Sequence, residues 1–394
     1  MESFVLDMLG LLFRWLHMIV GIAWVGASFY FIWLDNNLRE PPKWKQDKGI
    51  KGDLWSFHGG GIYEVAKYKA GPEKMPKTLH WFYWEAYSTW ITGMCLMFVI
   101  YYFQASTYLV PVDGWLTDPY AVIAASICFI VSGVAIYELL IRSKLADQPL
   151  AFAVALTLVL SVYSWLSYQL FSGRAAYIHM GVLVGSIMAA NVFIGIIPPQ
   201  REFVRAIESE TELPLQGLQM AKLRSTHNNY LTLPVLFCMI SNHYPVLYGH
   251  RHGWLILMAI FVIAAGARQF FNLKHKGIHK PQILATCFVL FIVLSFAIGW
   301  DKYKQQEALA SLTVPTETAL PIAAEHCSVC HASEPSFPGM LAPPAGMILV
   351  SEQDFSLHAA SAMDAISTDY MPLGNITGMT SEERETLLGW LNQF

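Results

Sequence analysis

QILATCFVLFIVLSFAIGW (Gln282–Trp300) holds no charged residue and, at 1.5 Å per residue, is long enough to cross the ~30 Å hydrocarbon of a bilayer. Comparable apolar runs precede it at Leu11–Leu34, Trp81–Phe103, Tyr120–Ile141, Leu150–Phe171, Tyr177–Ile197, Asn229–Tyr248 and Trp254–Phe271. The first is too long for a signal-peptide core and ends without a small-residue cleavage site, so it reads as a retained helix. Eight membrane helices are therefore expected. Composition agrees: the 394 residues are 55% hydrophobic and only 14% charged, against about 25% charged in soluble proteins. Thirteen Trp, 18 Tyr and 23 Phe form an aromatic load suited to membrane interfaces.

The basic residues sort by loop. Arg39, Lys43, Lys45, Lys48, Lys51, Lys67, Lys69, Lys74 and Lys77 follow the first run, and Arg142 and Lys144 follow the third. Arg201, Arg205, Lys222 and Arg224 follow the fifth, and Arg268, Lys274, Lys276 and Lys280 lie at or after the end of the seventh. Gln104–Pro119, after the second, has none. If the helices alternate, these charges share one side, and the positive-inside rule puts both chain termini outside the cytoplasm.

Downstream stands Cys327-Ser328-Val329-Cys330-His331, a C-x-x-C-H motif. Two thiols at this spacing followed by an imidazole suit covalent haem attachment, with the histidine on the iron. The competing reading is a redox or zinc C-x-x-C, but no second C-x-x-C follows and no βαβ pattern surrounds it. Haem c is attached outside the cytoplasmic membrane, in agreement with the loop charges. The other cysteines, Cys95, Cys128, Cys238 and Cys287, stand singly in apolar runs and read as packing residues. A second axial ligand is expected from Met371, before Pro372; Met340, Met347, Met363 and Met379 compete, with Met363 and Met379 better suited to core positions. Thr380-Ser381-Glu382-Glu383 reads as a capping box opening a last helix. These features divide the chain into a membrane domain (1–301), a polar connector (302–321) and a small haem domain (322–394).

Ionisable groups inside membrane helices are costly and usually face a functional interior. His17, His179 and His243 fall toward the outer side, and His80 and His227 toward the inner, with Glu85 and Arg268 near them in depth. Singly, each is as readily a hydrogen-bonded core histidine. Together they suggest ligands for one or two non-covalent b-type haems, paired as His17 with His179 and His80 with His227. The inner loop Trp55–Glu64 carries His58 and three glycines, Gly59, Gly60 and Gly61, and is followed by Lys67. Such a stretch either brings backbone N–H groups close to an anion or is a plain flexible turn. His227-Asn228-Asn229-Tyr230 offers donors and acceptors to a planar heterocycle, or simple capping polarity. No nucleotide-binding or nucleic-acid motif is present.

The chain resembles the bacterial membrane-bound cytochrome c urate oxidase (urate hydroxylase) family. The resemblance rests on Arg14-Trp15-Leu16-His17 with Trp24-Val25-Gly26, Ser56-Phe57-His58-Gly59-Gly60-Gly61, His227-Asn228-Asn229-Tyr230, and the haem motif with Met371-Pro372. It implies an all-α fold, an eight-transmembrane-helix bundle fused to a C-terminal class I cytochrome c domain. It also implies oxidation of urate to 5-hydroxyisourate in the inner membrane, with both termini and the cytochrome periplasmic. Electrons would pass through haem c, bound by Cys327, Cys330, His331 and Met371, to a terminal oxidase or a soluble periplasmic cytochrome c, without hydrogen peroxide. Glu85 or His227 would take a substrate proton, Arg268 or Lys67 would hold the urate anion, and His58 and Asn228 would contact substrate. The alternatives are a membrane-anchored cytochrome c subunit without catalysis, and a quinol-oxidising haem enzyme.

Overall fold

The computed structural model describes residues 2–394 apart from Asp113, Gly339 and Leu341. The long helices are α1 (Glu2–Asn37), α2 (Trp84–Leu96), α3 (Pro119–Ile141), α4 (Pro149–Leu170), α5 (Gly173–Ala190), α6 (Leu215–Ile240), α7 (Gly253–His275) and α8 (Pro281–Ala310). Proline at the start of α3, α4 and α8 suits their first turns, where no intrahelical donor is needed. Asp118 caps α3 by accepting from the Ala121 amide at 2.8 Å.

Among the described residues, six helices are long and apolar enough to cross a membrane: α1, α3, α4, α5 with its continuation to Glu208, α7 and α8. The expected count of eight thus includes two of a different character. The α-helical part of α2 is short and passes into a π-helical turn, Met97–Tyr102. The first fifteen residues of α6 include Gln216, Gln219, Lys222, Arg224, His227, Asn228 and Asn229, which dilute its apolar face. Both still pack with the others: α2 lies along α1, and α6 lies against α5 and α7.

The core centres on α5, where Tyr177, Met180, Leu183, Val184 and Ile187 are all buried. The outermost helices α1 and α8 instead turn Trp15, Met18, Ile22, Phe288, Val293 and Phe296 outward. An exposed apolar surface of that extent fits contact with lipid.

Two expectations are corrected here. The fold is not purely helical, because Ile50–His58 (β1) and Gly61–Tyr68 (β2) pair as an antiparallel hairpin. Gly59 and Gly60 form its turn with φ of +57° and +82°, the left-handed pair that a two-residue hairpin turn of the I′ kind needs. The polar connector is also helical and packed, not a segment apart from the folded units. Lys302–Ala310 continues α8, and Thr316–Ala323 forms α9, with Leu309 and Ala319 buried beside Phe355 and Trp390. Lys302-Tyr303-Lys304-Gln305-Gln306-Glu307-Ala308-Leu309-Ala310 is rich in strong helix formers, so nothing stops the helix at the membrane edge.

The C-terminal unit packs α9, α10 (Glu352–Ser367) and α11 (Ser381–Leu391) around Phe355, Ile366, Leu387 and Trp390. The expected box at Thr380 is present: Glu383 N donates to Thr380 Oγ1 at 3.2 Å, and Thr380 N donates to Glu383 Oε2 at 2.8 Å. Ser351 and Asp354 build a second box on α10. This unit sits at the bundle end that holds Tyr248, where Tyr370 packs against the bundle core. The basic loops occupy the opposite end.

Candidate functional site

Three polar side chains recur on one face of α7 at Arg268, Asn272 and His275, four and then three residues apart, so successive turns present them together. Facing them on α6 is Asn229, buried to 1% exposure, whose Oδ1 accepts from Asn272 Nδ2 at 2.8 Å. Phe29 of α1 closes another side, its ring 4.0 Å from the Arg268 guanidinium. That bond leaves much unused. Arg268 Nε and Nη2, Asn229 Nδ2, Asn272 Oδ1 and His275 Nδ1 are all buried without a hydrogen-bond partner. Each such atom costs about 1–3 kcal/mol if nothing meets it. Donors around a cation, with the Asn272 acceptor and an imidazole nitrogen that serves either way, match an anionic planar ligand that carries both carbonyl oxygens and ring N–H groups.

A second polar network lies between α3, α5 and α6 and is nearly saturated. Arg224 grips Glu138 bidentately at 2.7 and 2.8 Å and donates to Asn191 Oδ1 at 2.9 Å. Asn191 Nδ2 donates to Asn228 Oδ1 and to the Tyr137 hydroxyl, both at 2.9 Å. Tyr137 in turn meets His227 Nδ1 at 3.0 Å, and His227 stacks on Phe152 at 4.4 Å. Asn191 opens a π-helical segment, Asn191–Ile196, whose Gly195 leaves room for Arg224: a Cβ there would lie 2.2 Å from Arg224 Cδ. Satisfied throughout but for Arg224 Nε, this network holds helices together.

The expected residues thus separate. Arg268 lies in the open array, while His227 and Asn228 belong to the saturated network. Glu85 stands in the first turn of α2 with Oε2 buried and unpartnered. His58 is exposed at the hairpin tip, on strand β1 opposite Gly61. Lys67 pairs with Asp35 at 2.6 Å, and Lys222 reaches the same carboxylate, so Lys67 ties the hairpin to α1. A polar cleft of about 340 Å³ beside this tie is lined by Asp35, Arg39, Glu40, Lys51 and Lys67, mixing both signs of charge. An apolar groove of about 640 Å³ between α7 and α8 carries no chemical group beyond Cys287.

The histidines expected in pairs turn to different neighbours. His17 Nδ1 meets Thr92 of α2 at 3.0 Å. His179 is fully buried with both ring nitrogens engaged, Nε2 with Ser126 Oγ and Nδ1 with Ala175 O, each at 2.7 Å. His80 is exposed and packs on Phe82, and His243 is exposed in the turn after α6. His17 and His227 each use one nitrogen and could ligate a metal through the other; His179 would first have to release a partner.

In the C-terminal unit, Cys327 and Cys330 lie one helical turn apart. Burial pushes the Cys327 thiol up to about 12, aided by nearby Cys330, whose own thiol is also raised by burial. His331 Nδ1 lies 3.0 Å from the Met347 carbonyl oxygen. A donor at Nδ1 leaves Nε2 free for a metal, the usual arrangement of a ligating histidine. Met379 is buried in the core, Met363 and Met347 are partly buried against it, and Met371 stands in the loop after α10, its carbonyl held by Arg384 Nη1 at 2.9 Å. The donor set fits a covalently attached haem.

Sequence reasoning missed Asn272, His275, Tyr137, Glu138 and Asn191. The spacing from Arg268 to Asn272 and His275 was the available signal. Residues 3–299 match the family described as Urate oxidase N-terminal. Neither a curated protein nor a solved structure matches the chain.

Proposed function

The chain belongs to the urate oxidase N-terminal family, and from that premise we propose that it oxidises urate to 5-hydroxyisourate within a membrane, with electrons leaving through a c-type haem. The observation that carries the reading is the cluster of unpartnered buried atoms on Arg268, Asn229, Asn272 and His275. Urate is a planar monoanion with ring N–H donors and carbonyl acceptors, the complement of that cluster. Arg268 would hold its charge and the two asparagines its edge, while Phe29 excludes water from one side.

The overall change adds the oxygen of one water at a ring carbon and releases two protons and two electrons. Glu85 Oε2 and His275 Nδ1 are buried and free to accept a proton, whereas His227 Nδ1 is already engaged by Tyr137. Lys67 is spent on Asp35, which leaves Arg268 to hold the anion. Cys327, Cys330, His331 and Met371 would hold the haem. When bound, that group supplies one-electron acceptance, at a potential that a thioether ligand raises.

Along α7, Arg268 lies about 22 Å from Gly253, near which the C-terminal unit sits. A carrier within the bundle is therefore part of the proposal, one or two b-type haems, for which His17 and His227 have a nitrogen to offer. The onward acceptor is a terminal oxidase or a soluble cytochrome c. Urate added to anaerobic membranes containing the protein should bleach the oxidised haem c spectrum and bring up the reduced one. Reduction by a quinol but not by urate would overturn the reading in favour of a respiratory electron carrier.

A further inference from the structure

At the opposite end of the bundle, the seam with the C-terminal unit contains a cation without a counter-charge. Arg174, in the first turn of α5, donates Nε to Asn242 Oδ1 at 3.3 Å and lies over the Tyr108 ring, 5.2 Å from its centroid. It forms no ion pair among the described residues. Beside it, Tyr101 and Tyr248 are 3% and 2% exposed, and neither hydroxyl has a hydrogen-bond partner. The Tyr101 hydroxyl lies beside the Asn242 and Arg174 side chains.

The seam is closed from the other side. Tyr370 packs edge-on against Tyr248 at 6.5 Å, and Gly249 lets the two backbones meet, since a Cβ there would lie 2.3 Å from Thr368 Cβ. Arg14 adds positive charge within range of Tyr101 and Tyr108, and Asp7 lies within range of Tyr108. A guanidinium and two buried phenols can all donate, so what the seam lacks is a charged acceptor.

We infer that this seam binds an oxyanion, of carboxylate or phosphate class, between Arg174, Tyr101 and Tyr248 and beneath Tyr370. A porphyrin propionate and an anionic lipid headgroup share that chemistry. The inference does not draw on the Arg268 cluster at the far end of α7, so each can fail without the other.

The test uses the full chain purified in detergent, comparing the parent with Arg174→Gln, Arg174→Lys and Tyr248→Phe. Haem released by acid acetone reports a non-covalent porphyrin, and native mass spectrometry with added phosphatidylglycerol reports the lipid. If the acceptor is a propionate, Arg174→Gln loses most of the extractable haem, keeps its haem c, and Arg174→Lys retains an intermediate amount. If it is a lipid phosphate, extractable haem is unchanged and lipid binding weakens about tenfold, the loss of one charged hydrogen bond. Tyr248→Phe deletes a single hydroxyl and should show a smaller loss in the same readout, which keeps the test open if Arg174→Gln does not fold. Parent and variants with equal haem content and equal lipid binding, or a parent that holds neither, would overturn the inference.

Discussion

Asn272 donates to Asn229 across the α6–α7 contact at 2.8 Å, and each amide keeps one buried polar atom unused. Two amides that could have satisfied each other twice do so only once. The leftover donor and acceptor stand with the unpartnered guanidinium atoms in a region where unmet polarity is expensive, which is what the proposed urate site rests on.

Replacing Arg268 separates a binding role from a structural one. Arg268→Gln should lower kcat/KM for urate by about ten- to a hundredfold, the range for a lost charged hydrogen bond. The same change should leave the ligand-free protein as stable as the parent, because the buried charge it removes is without a partner. Thermal unfolding with and without urate checks both: the parent should gain Tm with urate and the variant should not. A variant that unfolds early without ligand would mark Arg268 as structural.

The Glu138–Arg224 pair should behave in the opposite way. Arg224 is 3% exposed and its charge is met by Glu138, so Glu138→Gln strands a buried cation and should destabilise the fold by about 3–5 kcal/mol. Gly195→Ala should destabilise for a steric reason, since its Cβ would fall 2.2 Å from Arg224 Cδ. Urate affinity in the fraction that remains folded should be near that of the parent. Chemical denaturation monitored by tryptophan fluorescence measures the first effect, and urate titration the second.

How much of this was legible in the sequence differs by element. The apolar runs at Tyr120–Ile141, Leu150–Phe171 and Trp254–Phe271 became α3, α4 and α7 nearly residue for residue, because a span of that length has few other stable forms. The hairpin was not read, since its outward face carries Trp55, Phe57 and Ile62 where a soluble strand would alternate with polar residues. The continuation of α8 through Ala310 was legible in its helix formers, yet its polarity reads equally as a connector between domains. Arg268 stood out as a charge in an apolar run. Asn272 and His275 did not, because neutral polar residues near a helix end are ordinary until a fold buries them.

The C-terminal unit should lose stability in acid through its helix caps. Glu383 is held below the usual carboxylate range, first by the Thr380 backbone N–H and then by its hydroxyl, and Asp354 likewise by Ser351. A carboxyl with a depressed folded-state pKa contributes stability that is present above its unfolded value, about 4. That contribution is lost as pH falls through the folded value. Helicity of the full chain should therefore begin to drop below about pH 4. Glu383→Gln should flatten part of that dependence, and an identical acid profile in the variant would remove the cap as its cause.

His331 offers the sharpest separation of the two halves of the chain. Its Nδ1 is anchored at the Met347 carbonyl, so the ring is oriented before any metal arrives. On the proposed reading, His331→Ala removes the nitrogen that would ligate iron while Cys327 and Cys330 would remain for covalent attachment. The variant should still bind urate, because Arg268 and Asn229 lie at the far end of the bundle. A single anaerobic addition of urate should leave its c-type spectrum oxidised, and sustained turnover coupled to oxygen consumption should fall to background. Normal turnover in His331→Ala would mean that electrons leave the bundle by a route that bypasses the C-terminal unit. Lost urate binding would mean instead that the two ends are coupled through α7 and α8.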